Sequence, residues 1–321
     1  MPVKQDRWAA LAAPPAEPEQ TLRRLERALA REEALREQIE RLVADQAGDL
    51  ILANERLDRQ HEEFLVVEQR ERARLAHELA TAQHIQSSLL PRDLSVAGLD
   101  IAAVMRPCTE MGGDYYDIRL SDDGCWLGIG DVAGHGVPAG LVMLMLQCAV
   151  AALTAADRDA TPSQILVGVN GLLYDNIRAR MNSDEHITAT LLRYRRDGRL
   201  VFAGAHEDIV VLRARTGACE LFETHGSWLG VVPDIGRATR DEQLRLEPGD
   251  TLLLYTDGLT ESASATGEQF GLARVCAALE RCPAGPARVT LDALMADLYG
   301  FSEVFADDVT ALVLRYTGAC V

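Results

Sequence analysis

Residues 125–136, CWLGIGDVAGHG, read as a strand that runs straight into a glycine-rich loop. The run CWLGIGDV has the texture of a buried β-strand, and Asp131 stands at its end. A carboxylate there is held by a rigid element, while the glycines let backbone approach an ion closely. The most apolar run of the chain, Ala139 to Ala156, follows the loop and is interrupted by Gln147 and Thr154. It sits at the lower length limit for a membrane span and follows the loop closely, so a buried helix is expected.

Outward from this point the texture repeats. From Leu99 on, short β-type runs are punctuated by glycine: LDIAAVMRP, TATLLRYRR, LVFAGA, DIVVLRA, DTLLLYTD and DVTALVLRY. The stretches 138–156, 162–180 and 285–300 read as helices. Strand pairs joined by short turns, with a few long helices, predict an α+β domain of mainly antiparallel, layered sheets. Three more aspartates share the setting of Asp131: Asp114 in GGDYYD, Asp257 in YTDGLTE and Asp307 in DDVTALVL. Taken singly, an Asp-Gly pair marks an ordinary hairpin turn. Four such carboxylates converging from distant sequence make an oxygen-ligand cage suited to Mg²⁺ or Mn²⁺.

Upstream the chain changes character. Residues 1–20 are rich in Ala, Pro and Glu and read as a flexible leader. Residues 21–90 hold no proline and one glycine, Gly48, among dense Arg, Glu, Leu and Ala, which favours helix. A step of seven gives Leu22, Leu29, Arg36, Val43, Leu50, Leu57 and Phe64, apolar at six of seven positions. The companion seam (Leu25, Glu32, Ile39, Gln46, Ala53, Gln60, Val67) is weaker. The pattern predicts a coiled coil and a homodimer, with a single amphipathic helix lying on its own domain as the alternative. After Phe64 the next core positions are Leu75, Leu79, Ala82, Gln86 and Leu89, a stutter that changes the supercoil locally. Pro91 ends the helix.

Composition removes several function classes. Of 321 residues 48% are apolar and 25% charged, enough for a sizeable core. Acids exceed bases, 49 against 32, for a net charge of −17 that repels a phosphate backbone, so nucleic acid is not an expected partner. Lys4 is the only lysine, which leaves no lysine for a Walker-A loop, a protein-kinase site or a Schiff base. Seven scattered cysteines without a C-x-x-C pair suggest thiols in a reducing cytoplasm. No apolar signal segment opens the chain, so a cytoplasmic protein without membrane insertion is expected.

The ordered set GGDYYD, GDVAGHG, YTDGLTE and DDVT, with QSSLLP just upstream, resembles the metal-dependent PPM class of serine/threonine phosphatases. Within that class it looks like the bacterial SpoIIE/RsbU-type branch, over roughly residues 84–316. The resemblance implies an αββα sandwich with two central antiparallel sheets over residues 91–321, behind a coiled-coil dimerisation and regulatory segment, 21–90. It implies a centre of two ions, Mn²⁺ or Mg²⁺. Asp131 would bridge them, the Val132 carbonyl would ligate one, Asp257 and Asp307 would complete a shell, and Asp114 would contribute through GGD. Asp117 and Asp308 are expected to support the site or a turn. His135, or a water at the metals, would protonate the leaving alkoxide.

Some positions depart from the family pattern. No arginine immediately precedes the first aspartate; the nearest, Arg106, lies eight residues upstream. GAHEDIVVL replaces a glycine-histidine-proline stretch, and His206, Glu207 and Asp208 read as a strand-initiating turn, with the lining of a specificity surface as the alternative. His225 and Trp228, in THGSWLG, are expected to pack. The implied activity is hydrolysis of phosphoserine or phosphothreonine on a phosphorylated STAS-domain anti-sigma-factor antagonist, opposed by a serine kinase in a partner-switching pathway. A coiled-coil signalling adaptor with a phosphatase-like binding domain, or a phosphatase for small phosphoesters, is the alternative.

The heptad seam generates a direct test. Leu50→Glu with Leu57→Glu places two charges on the apolar seam, at a cost of several kcal/mol. Light scattering at micromolar concentration is expected to show a dimer for the parent chain and a monomer for the double variant. A monomeric parent would sink the coiled-coil reading.

Overall fold

The computed structural model describes residues 18–91, 94–108, 111–282, 284–302 and 305–318. Two compact units divide between Leu75 and Ala76, inside the segment 21–90 expected to be one piece. The leader expected over 1–20 lies, up to residue 17, outside the described residues. The first unit is helix: α1 (Pro18–Leu89) begins here and gives its last turns to the second unit. Pairs such as Arg36–Glu40 and Glu68–Arg72 run along its surface one turn apart. Leu22, Leu29, Val43, Leu50, Leu57 and Phe64 are all exposed.

In the second unit ten strands form two five-stranded sheets, every pairing antiparallel. One sheet has the order β1 (Leu99–Arg106), β10 (Val309–Tyr316), β9 (Thr251–Tyr255), β6 (Ile209–Leu212), β7 (Cys219–Phe222). The other runs β2 (Tyr115–Ser121), β3 (Gly124–Val132), β4 (Ile187–Arg195), β5 (Arg199–Ala205), β8 (Glu242–Arg245). Alternation of side chains along each strand explains the layering. Leu252 and Leu254 of β9, Leu312 and Leu314 of β10, and Leu192 and Tyr194 of β4 meet between the sheets. Their neighbours Leu253, Tyr255, Ala311 and Val313 face outward under α5 (Gly271–Arg281) and α6 (Ala287–Phe301). On the opposite side Ala189 and Leu191 face α2 (Val137–Ala156) and α3 (Pro162–Tyr174). The result is the αββα sandwich that the resemblance implies.

Both faces of the central strands are covered, which is why they read as continuous apolar runs rather than alternating ones. α2 is the one helix among the described residues that is long and apolar enough to cross a membrane. Here it packs Val142, Met143, Leu146 and Val150 into the core against α3. The helix expected over 162–180 is α-helical only to Tyr174 and continues as a π-helical turn, Asp175–Arg180. The described cysteines are all free thiols; Cys320 lies outside the described residues.

Leu312 is fully buried at the centre of this core, and its register partner on β9 is Leu254. Leu312→Ala is expected to cost about 2–5 kcal/mol of unfolding free energy in urea titration. A loss below about 1 kcal/mol would show that the two sheets do not depend on this contact for their packing.

Candidate metal centre

The site is assembled where the ends of β3, β9 and β10 meet the GGD turn. Asp131 is the penultimate residue of β3, opposite Thr188 of β4. The GGD turn lies against it, with Val132 N–H donating to the Gly113 carbonyl at 3.3 Å. A Cβ on Gly113 would stand 2.8 Å from the Val132 carbonyl oxygen and 3.2 Å from Asp131 Oδ1. Only a residue without a side chain fits, so those two oxygens share a small cradle.

The opposite wall comes from the other sheet. Asp257 opens the short helix α4 (Asp257–Glu261) directly after β9. A Cβ on Gly258 would lie 2.0 Å from the Asp308 carbonyl, so this glycine is what lets the YTDG turn press against the DD turn before β10. Thr256 N–H donates to the Thr310 carbonyl and Thr310 N–H to Thr256 Oγ1, locking the two turns in register. Both hydroxyls then donate to Asp114 Oδ2, at 2.9 and 2.5 Å. Asp308 is buried and accepts from Cys108 N–H and Gly113 N–H at 2.7 Å each. Asp307 is exposed and accepts from Asp308 N–H.

Charge shows that the expected carboxylates have come together. Burial pushes Asp131 up to about 8, and Asp257, Asp307 and Asp308 add repulsion. Asp257 is raised by burial and then by Asp307 and Glu261. Asp114 is raised well above the carboxylate range by burial, against the pull of the Thr310 hydroxyl. Asp257 Oδ1 is buried without a hydrogen-bond partner. A buried, unpartnered anionic oxygen facing like charges is costly unless a cation sits there. Hard oxygen donors of this kind fit Mg²⁺ or Mn²⁺.

Other expected residues fall elsewhere. His135 is exposed in the loop between Gly134 and Gly136, both at positive φ. Asp117 is buried on β2 and pairs with Arg119 at 3.4 Å. The Arg106 guanidinium lies over the rings of Tyr299 and Phe305, at 5.2 and 4.6 Å. His225 is exposed between Glu223 and Glu242 and does not pack; its polar ring finds anions at the surface. Trp228 is 51% exposed, with one face stacked on His186 at 4.9 Å, so it packs on one side only.

Sequence reasoning assigned no role to Thr256 and Thr310, the hydroxyls that hold Asp114. It also did not find the work of His206. The ring Nε2 lies 3.0 Å from the Tyr255 carbonyl, which can only accept, so Nε2 carries the proton. Nδ1 then accepts from Thr188 Oγ1 at 2.9 Å. His206 thereby ties the strand beside Asp131 to the strand before Asp257. Glu207, next to it, is raised by burial and by the charge of Asp257.

This geometry has counterparts. Residues 121–317 match the family described as Stage II sporulation protein E (SpoIIE). The chain belongs to the SpoIIE family. Over 193 residues it is 31% identical to Phosphoserine phosphatase RsbU of Bacillus subtilis (strain 168), covering 59% of this chain and 55% of that protein. The SiaA-PP2C domain of Pseudomonas aeruginosa superposes with a TM-score of 0.64 at 25% identity, covering 76% of this chain and 97% of that one. The RsbU and RsbW domains of Rv1364c from Mycobacterium tuberculosis give 0.57 at 26% identity, covering 70% and 62%. The chain spans about half the length of the curated relatives it matches. The SpoIIE assignment and the sandwich agree on the PP2C-type fold.

The His206 contacts predict a pH effect. Burial holds the ring at about 4, below the ordinary 6.5. Its stabilisation is therefore complete above pH 6.5 and is lost as the pH falls toward 4. Across that window the parent is expected to lose up to about 3 kcal/mol more than His206→Gln, read from urea unfolding of the metal-free proteins. Parallel stability profiles would show that the ring is not held neutral.

Proposed function

We propose that this chain is a metal-dependent protein phosphatase that hydrolyses phosphoserine or phosphothreonine. The observation that carries the reading is the meeting of Asp131, Asp257 and Asp307 within electrostatic reach of one another, with the Val132 carbonyl beside Asp131 Oδ1 and Asp257 Oδ1 buried and unpartnered. Asp131, the Val132 carbonyl, Asp257 and Asp307 would hold two divalent ions, Mn²⁺ or Mg²⁺, with Asp114 contributing from the GGD turn. When bound, the ions supply charge neutralisation for the phosphoryl oxygens and lower the pKa of the attacking water.

The chain's own groups do the rest. Asp131 must lose the proton that its surroundings favour before it can hold a cation. Thr256 and Thr310 hold Asp114 Oδ2 and so fix the direction in which its carboxylate faces. Asp308 pins the GGD turn through backbone amides and thereby sets where Gly113 lies. His135, exposed on a loop with a glycine on each side, stands free to hand a proton to the leaving serine or threonine oxygen.

The substrate in this reading is a phosphorylated STAS-domain protein, opposed by a serine kinase of the same partner-switching pathway. Similarity over 193 residues to a protein named as a phosphoserine phosphatase supports phosphoserine as the group removed. The exposed heptad stripe of α1 supports a homodimer, and a cytoplasmic setting goes with an ATP-using opposing kinase.

Asp257→Ala is expected to abolish turnover, and EDTA to do so reversibly, with Mn²⁺ or Mg²⁺ restoring the rate. The assay is release of phosphate from a phosphorylated STAS protein, set against p-nitrophenyl phosphate. More than about a tenth of parent turnover in Asp257→Ala, a barrier change of only about 1.4 kcal/mol, would remove Asp257 from the centre. Turnover of p-nitrophenyl phosphate alone would favour a small-phosphoester enzyme.

A further inference from the structure

Among the described residues of α1, Gln86 alone is buried, at 4% exposure. It lies beyond Ala76, within the second unit. Its side-chain amide pairs with the backbone of a single residue. Nε2 donates to the Gly112 carbonyl at 2.7 Å, and Gly112 N–H donates to Oε1 at 3.3 Å. Both backbone groups of Gly112 are thus satisfied by one side chain, as a neighbouring strand would satisfy them. The next residue, Gly113, donates its N–H to Asp308 Oδ2 and forms the floor under Asp131 Oδ1 and the Val132 carbonyl. Gly112 and Gly113 lie between β1 and β2; Val132 N–H at the end of β3 reaches the Gly113 carbonyl, but no strand pairing reaches Gly112.

We infer that Gln86 is a positioning residue for the metal centre, setting the height of the Gly112–Gly113 floor against Asp131 and Val132. It touches neither substrate nor metal. Without its amide, Gly112 keeps two buried polar groups with no partner, and the turn moves outward to find water. The oxygens of the cradle then lose the backing that holds them together. Residues that orient ligands from behind typically change metal affinity by about 10- to 100-fold. The inference rests on the metal-dependent reading proposed above.

Gln147 supplies an internal control. It lies on α2, and its Nε2 donates to the Leu89 carbonyl at the end of α1, at 2.9 Å. It anchors the same helix end without contacting the GGD turn. If Gln86 acts only by docking α1, losing Gln147 should have a similar effect. If Gln86 acts through Gly112, it should not.

The experiment is calorimetric titration of Mn²⁺ into metal-stripped full-length protein, with circular dichroism melting of each metal-free variant. Gln86→Met keeps the side-chain length and removes both hydrogen bonds. It is expected to weaken Mn²⁺ binding at least about tenfold, while Gln147→Ala stays within about twofold of the parent. Near-parent kcat on p-nitrophenyl phosphate at saturating Mn²⁺ is the further mark of positioning. If Gln86→Met does not fold, Gln86→Glu replaces it, keeping an acceptor for Gly112 N–H but no donor for the carbonyl, and the same loss is expected. A folded Gln86 variant with parent Mn²⁺ affinity overturns the inference, whatever its melting temperature. Equal losses in Gln86→Met and Gln147→Ala also overturn it. A parent protein that takes up no Mn²⁺ would instead overturn the metal reading, and the inference with it.

Discussion

Like charges forced together are the constraint on which the rest of this structure depends. Asp131 is partly buried within reach of Asp257, Asp307 and Asp308, and its carboxyl is pushed up to about 8. Such a group destabilises the folded state: the penalty grows from about pH 4, where the carboxyl ionises in the unfolded chain, to about pH 8, and is constant above that. A loop could not hold these residues in place, because it would relax and let the carboxylates separate. Two sheets, each covered on both faces, cannot relax that way. Asp131 belongs to one, while Asp257 and Asp307 flank strands of the other.

The sheets must then be kept from sliding past each other at that end. Apolar packing between them is strong but carries little directional information, since one leucine contact serves nearly as well as its neighbour. Direction comes from a few polar links. His206 connects Thr188 to Tyr255 across the gap, and Asp114 takes the hydroxyls of Thr256 and Thr310. Each link ends within three residues of a candidate ligand or at its register partner.

The two levels of organisation were unequally legible in the amino-acid sequence. The long apolar strands and α2 were plain, because burial on both faces leaves unbroken hydrophobic runs. β7 and β8 were not: CELF and EQLR are four residues each, at sheet edges, with mostly partly exposed side chains. α5 carried a signal that was passed over, since Val275, Ala278 and Leu279 recur at helical spacing and are its buried residues. In the site, Asp114, Asp131, Asp257 and Asp307 stood out through the glycines beside them or the doubled aspartate. His206 did not, because its role lies in two partners, 18 and 49 residues away, that no local pattern connects. His225 was misread for a related reason: a motif position says nothing of the acidic neighbours that make it a surface residue.

The same contrast between apolar and polar contacts holds at the end of α1. Its seam residues through Phe64 are exposed, and inward-facing positions begin only at Leu79, Ala82 and Gln86. Leu75, the first position after the stutter, is still 58% exposed, so the helix turns an apolar face inward only from Leu79. Docking through leucine alone would tolerate small rotations, because apolar contacts re-form at low cost. Docking through an amide that satisfies both backbone groups of Gly112 does not, since a small rotation breaks two hydrogen bonds together. The end of α1 is thus tied to the turn at Gly112 and to no strand of either sheet through this amide.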